Sequence, residues 1–158
     1  MRAEDVDIAG LPEDYTAARP RAEDAAEVAA LLAEHERRGK GSSSASEEGV
    51  LTTLTGIGSW TRRQALVRER SSSRIVAWLS VHDRAAGRTI VDLLVDPDLD
   101  AAAADELAAE LFRAAERYAR DIAAMRTLRW TVLDSGAYES DQRQQRFLVE
   151  AGYEHVRT

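Results

Sequence analysis

At 158 residues the chain is the size of one domain, able to bury roughly two thirds of its unfolded surface. Its 28 acidic and 21 basic side chains leave a formal charge of −7, which, with no long Lys/Arg cluster and no aromatic RNA-binding signature, argues against nucleic acid or an anionic membrane as partner. The absence of cysteine excludes disulfides, thiolate metal sites and thiol catalysis together. No run approaches the ~20 apolar residues of a membrane span, no signal-peptide core opens the chain, and His35, His82 and His155 lack metal-ligand spacing, so a metal-free, cytoplasmic protein is expected.

Residues 1–14 read as a polar leader ending at Leu11-Pro12, and a single domain is expected over 15–158. YTAARP from Tyr15 is a short strand. AEDAAEVAALLAEHERRG after it is a helix with Ala25, Val28, Ala29, Leu32 and Ala33 on its apolar face and Gly39 as its stop. KGSSSAS is a linker. SEEGVLTTLTGIGSW reads as a shorter helix starting at Ser46, with Glu47 and Glu48 in its first turn and Gly56 and Gly58 at its end, although Val50, Thr52 and Thr53 also suit a strand.

Three β-rich runs come next, RQALVRER, RIVAWLSVHD and TIVDLLVD, separated by SSS and RAAGR. The first alternates Ala65, Val67 and Glu69 against Gln64, Leu66 and Arg68, and the loops have hairpin length, which predicts an antiparallel meander. Arg62, Arg63, Arg68, Arg70 and Arg74 read as a solvated sheet edge. TIVDLLV lies between Gly87 and Pro97, is rich in Ile, Val and Leu, and is too short for a buried helix, so it reads as a strand covered on both faces.

After DPDLD comes AAAADELAAELFRAAERYARDIAA, where Leu107, Leu111, Ala115, Tyr118 and Ile122 recur at steps of three and four. That spacing predicts a long amphipathic helix, capped by Asp98 or Asp100 and with Asp105 and Glu106 against its positive end. The helix turns the meander into a crossover, so LRWTVLD from Leu128 should return as a parallel strand. YESDQRQQRFLVEAGYEHVRT then predicts a helix ending near Gly152 and the beginning of one more strand.

TAARPRAEDAAEVAALL, DLLVDPD and QRFLVEAGYEHV, in that order, resemble the opening strand and helix, the fourth strand with its LxVxP turn, and the closing FYxxxGFxxv segment of the GCN5-related N-acetyltransferase (GNAT) superfamily. The resemblance covers 15–158. It implies an α+β fold: a central mixed, mostly antiparallel twisted sheet of about six strands, flanked by about four helices, with strands 4 and 5 parallel. An ACT-like or ferredoxin-like module is the competing fold, and it would lack a long helix after three consecutive hairpin strands.

The resemblance also implies a working scheme. Acetyl-CoA or another acyl-CoA gives its acyl group directly to an amine; a splayed fourth strand, here Leu93, Leu94 and Val95, pairs with pantetheine through its backbone. An R/Q-x-x-G-x-G/A loop holds the pyrophosphate, and a tyrosine in the last helix protonates the leaving thiolate. The base comes from the fourth or fifth strand or from water, which makes Asp92 the first catalytic candidate and His82, at the end of the preceding strand, the second.

Two parts of that scheme are missing from the sequence. No glycine stands between Gly87 and Gly136, and the loop position carries DLDAAAADE, with neither arginine nor glutamine. A side chain there obstructs the backbone's approach to phosphate, and a carboxylate ~8 Å from a phosphate charge is repelled by about 2 kcal/mol at an effective dielectric of ~20, against about 0.3–2 kcal/mol returned by a helix N-terminus. The tyrosine position holds Leu148, with Tyr138 and Tyr118 as distant substitutes suited to loop and core roles.

Two readings remain open. In the first, the domain has degenerate or lost acetyl-CoA binding and serves as a structural or ligand-sensing half of a larger acetyltransferase, partnered by a second GNAT domain or a homodimer, with its last strand supplied from beyond Thr158. In the second, it is an active N-acetyltransferase with acetyl-CoA as co-substrate and a small-molecule or peptide amine as acceptor. The acceptor would lie against 40–60, with Trp60 and Trp78 as candidate pocket walls.

Overall fold

A computed structural model describes residues 5–56 and 62–156. Five strands form one sheet in the order β1-β2-β3-β4-β5: β1 (Tyr15–Ala18), β2 (Arg62–Glu69), β3 (Ile75–Asp83), β4 (Arg88–Val95) and β5 (Val132–Asp134). The first four pair antiparallel and β5 joins β4 in parallel. The helices are α1 (Ala25–Lys40), α2 (Glu47–Thr55), α3 (Ala101–Met125) and α4 (Gln142–Glu150), with a single 3-10 turn at Ala22–Asp24. A 25-residue helix after three hairpin-linked strands removes the ACT-like and ferredoxin-like alternative.

Strand alternation divides the core in two. Ala65, Val67, Leu79, Val81, Val91 and Leu93 face the stripe of α3 whose Leu107 and Leu111 are fully buried, each of those leucines contributing about 1.5–3 kcal/mol by leaving water. Leu66, Trp78 and Leu94, on the opposite face, meet Val28 of α1 and Val50 and Leu54 of α2. In the segment before β1, Ile8 is buried and the Val6 N–H donates to Ala17 O at 3.0 Å, so its apolar side chains pack on the domain.

Local expectations fare unevenly. Ser46 caps α2, its Oγ accepting from Gly49 N at 3.1 Å, which decides the helix over the strand because the cap satisfies a donor that a strand would leave to the sheet; Gly58 and Trp60 lie outside the described residues. Helix α1 runs through Gly39 and ends at Gly41, whose φ of +83° supplies the left-handed turn. Asp100 is the N-cap of α3, its carboxylate accepting from Ala103 N at 3.3 Å; no acid occupies the first turn, and Asp105 instead pairs with Arg146 of α4.

Arg68 is not at an edge, because β1 pairs with β2 there, whereas Arg62 and Arg63 lie beyond that pairing. Arg68 reaches the buried Asp24 at 2.7 Å, Arg74 pairs with the buried Asp96, and Arg70 donates to Glu13 O at 2.9 Å.

The sheet has five strands among the described residues, where about six are expected. After α4, Gly152 adopts φ +95° and the Tyr153 N–H bonds back to Leu148 O at 2.9 Å, which turns the Tyr153 ring onto Phe112 of α3, with centroids 5.6 Å apart. Held against the α3 layer, 153–156 forms no strand.

Candidate functional site at the open side of strand 4

The pairing of β4 with β5 covers only Arg88↔Val132, Thr89↔Leu133 and Ile90↔Asp134. Beyond Ile90 the strands part, and the C-terminal half of β4 has β3 on one side only. Backbone groups alternate in direction along a strand, so the carbonyls of Val91, Leu93 and Val95 face the gap. All three are engaged by side chains: Ser135 Oγ donates to Val91 O at 2.6 Å, Gln144 Nε2 to Leu93 O at 3.2 Å, and Arg143 Nη2 to Val95 O at 2.9 Å. Gln144 is buried, and burial and nearby Arg146 lower the Arg143 pKa against the opposing pull of Asp141, Asp96 and Asp105. Of Leu93, Leu94 and Val95, the first and last thus present occupied carbonyls to the gap, and the backbone of Leu94 points toward β3.

The strand-to-helix turn is closed in the same manner. Asp96, buried, accepts the Asp98 N–H on Oδ1 at 2.9 Å and binds Arg74 with its other oxygen, while its carbonyl accepts from Leu99 N at 3.1 Å. Asp98 pairs with Arg38 of α1 at 3.0 Å. The amides of Asp98, Leu99 and Ala103, which a diphosphate would need at this turn, are consumed internally by Asp96 and Asp100. These bonds take three amides of the turn that a diphosphate would use and the β4 carbonyls that pantetheine would use. Leu148 packs against the α3-side core, and no side chain of α4 is a phenol.

On the α1 side of the sheet, however, a groove of about 570 Å³ opens over β4. Trp78, Ser80, Asp92 and Leu94 form its floor, and α1 contributes Leu32 and His35. Tyr138, from the loop after β5, closes the far wall, its ring 5.2 Å from that of His35. Gly39 makes this possible, because a Cβ there would fall 1.9 Å from Tyr138 Cδ2. Trp78 donates its indole N–H to Gln64 Oε1 at 2.9 Å, so it walls the groove as a fixed surface.

Asp92 is open to solvent within this concavity, yet the surrounding protein displaces enough water to raise its pKa above the ordinary aspartate value, against the opposing pull of Arg62 and His82. Arg62 lines the same groove and donates to Ser80 Oγ at 3.3 Å. Burial lowers the pKa of His35, Asp141 at 4.0 Å acting the other way. The other catalytic candidate, His82, lies across from Arg62 in the β2–β3 register, outside the groove lining, with its pKa lowered by burial and by Arg62 and Arg84. The structure brings Asp92, Arg62, His35 and Tyr138 together. Sequence reasoning singles out Asp92 for this site and misses Arg62 and His35. Among the described residues no cluster of three His, Asp or Glu side chains could hold a metal ion, and no helix is long and apolar enough to cross a membrane.

No family model and no curated protein matches the sequence, but solved structures match its fold. A GCN5-related N-acetyltransferase from Sphaerobacter thermophilus superimposes with a TM-score of 0.76 at 22% identity, over 91% of this chain and 44% of its own; the present chain thus spans less than half of that protein. The Salmonella typhimurium acetyltransferase yncA, solved with its cofactor acetyl-CoA, matches at TM-score 0.69 and 11% identity over 89% of this chain and 79% of its own. Glucosamine-6-phosphate N-acetyltransferase from Arabidopsis thaliana matches at 0.57 and 14%, over 92% and 95%. The chain has the GCN5-related N-acetyltransferase fold.

Proposed function

We propose that this chain is an acetyltransferase-fold domain that has given up acyl-CoA binding and acts as a ligand-sensing or structural half of a larger acetyltransferase assembly, completed by a second such domain or a second copy. One observation carries the reading: the outward carbonyls of β4, where pantetheine would pair, are capped in succession by Ser135, Gln144 and Arg143. A pantetheine chain would have to displace a buried glutamine and a bound arginine to reach the carbonyls of Leu93 and Val95, and each buried carbonyl uncapped without replacement costs about 1–3 kcal/mol. Calorimetric titration with acetyl-CoA and longer acyl analogues tests this. No saturable heat is expected; micromolar binding accompanied by acyl transfer to any amine overturns the proposal.

A second reading, an N-acetyltransferase using acetyl-CoA and an amine with Asp92 as base and His82 assisting, draws support from the pKa of Asp92, raised toward the range in which a base works. Under that reading Asp92→Asn lowers turnover far more than stability, and an unchanged rate in the variant removes it.

A further inference from the structure

The groove over β4 holds two opposite charges that the fold does not use. Asp92 stands in the middle of a strand, where aspartate is disfavoured, and among the described residues its carboxylate accepts no hydrogen bond and forms no ion pair. Among the described residues Arg62, two strands away, spends its guanidinium on a single neutral contact, the 3.3 Å bond to Ser80 Oγ, and Ser80 is the cross-strand neighbour of Asp92. Cation and anion thus converge on one serine without pairing within 4.0 Å. Asp24, Asp96 and Asp83, by contrast, are each paired with an arginine.

From this arrangement we infer that the groove binds a small zwitterion of the amino-acid class, its ammonium on Asp92, its carboxylate on Arg62 and Ser80, and an apolar side chain against Leu32, Trp78 and Leu94. The inference takes the ligand-sensing reading one step further and rests on it. A simple amine would neutralise Asp92 and shut Arg62 away from water beside an apolar group; a simple acid would do the reverse. Either leaves one charge desolvated without a partner, which is unfavourable. A polyanion meets Asp92 at the floor. A ligand carrying both charges satisfies both at once, and the lowered pKa of His35 keeps that wall neutral and close to apolar at physiological pH. The cavity of about 570 Å³ is in the range of small-molecule sites.

The test is calorimetry on the whole chain with L-leucine, L-methionine and L-phenylalanine, beside isopentylamine and 4-methylpentanoate, which are leucine without its carboxylate and without its amine. Saturable binding of at least one zwitterion is expected, with each single-charge analogue about tenfold or more weaker, since a lost hydrogen bond to a charged group costs at least that. Asp92→Asn and Arg62→Gln should each weaken the zwitterion by about tenfold or more with unchanged circular dichroism. If no zwitterion binds saturably, or isopentylamine binds as tightly as leucine, the inference falls. Adding acetyl-CoA separates the two proposals. Formation of an N-acetyl amino acid overturns the non-catalytic reading and upholds the ligand class, whereas silence with every zwitterion and with acetyl-CoA overturns the ligand class alone.

Discussion

Removing the amide of Gln144 tests whether α4 seals strand 4. Gln144 is 5% exposed, and its Nε2–H donates to Leu93 O at 3.2 Å. In Gln144→Ala that carbonyl, facing a gap with no strand beyond it, loses its partner, and a buried acceptor left alone costs about 1–3 kcal/mol. The higher helix propensity of alanine returns only a few tenths, and the cap of α4 survives because Asp141 bonds the backbone N–H of Gln144, not its side chain. For a domain of this size each kcal/mol moves Tm by about 2–4 °C, so a fall of roughly 2–12 °C is expected by calorimetric melting. Val149→Ala, at a position 71% exposed on the same helix, is the control and should move Tm by about 1 °C or less. Equal shifts in the two variants would mean that water satisfies Leu93 O as well as Gln144 does, and the sealed-strand argument would be wrong.

Arg68→Met removes the partner of Asp24, a carboxylate 4% exposed that keeps only the Arg21 N–H at 2.7 Å; a loss of about 3 kcal/mol is expected in urea denaturation, the low end for a broken buried pair because Arg68 itself is partly wet. A loss below about 1 kcal/mol would show that Asp24 does not depend on it. His35 has a lowered pKa in the fold, so the unfolded chain takes up its proton first and stability falls as pH drops below about 6.5. His35→Asn should flatten the Tm profile between pH ~6.5 and ~5, while an identical slope in the variant would assign the effect to other groups such as His82. Gly39→Ala, ordinarily a gain of about 0.5–1 kcal/mol inside a helix, should instead cost about 1–3 kcal/mol, because the new methyl enters the ring of Tyr138; a rise in Tm would refute the packing described for that wall.

What can be read from the sequence is whatever repeats locally. The stripe of α3 is legible because Leu107, Leu111, Ala115 and Ile122 all turn to one face, and each is buried. The meander is legible because its loops are short and its strands apolar. Gly39 misleads, since a glycine near the end of a helical pattern signals a stop, whereas its role here is to make room for a tyrosine 99 residues away in sequence. LRWTVLD reads as a strand of seven, but only Val132–Asp134 pair; Trp130 and Leu128 stay exposed and Thr131 spends its hydroxyl on Gly87 O at 3.0 Å. The leading polar residues of α4 carry no sign that they face a strand. Arg143 and Gln144 would suit any solvated first turn, and only the divergence of β5 exposes the carbonyls that they meet.

The two halves of the site bear on each other through β4. Its gap-side backbone groups and its α1-side side chains alternate along the same residues, so sealing one does not close the other. Gln144 belongs to both: its amide caps Leu93 O, and it is among the residues that line the groove over Asp92. A ligand seated on Asp92 and Arg62 would therefore press on the helix that seals the strand, and α4 in turn is tied to α3 through Arg146 and Asp105. Under the sensing proposal, the gap beside β4 holds the helix through which a bound ligand would be felt.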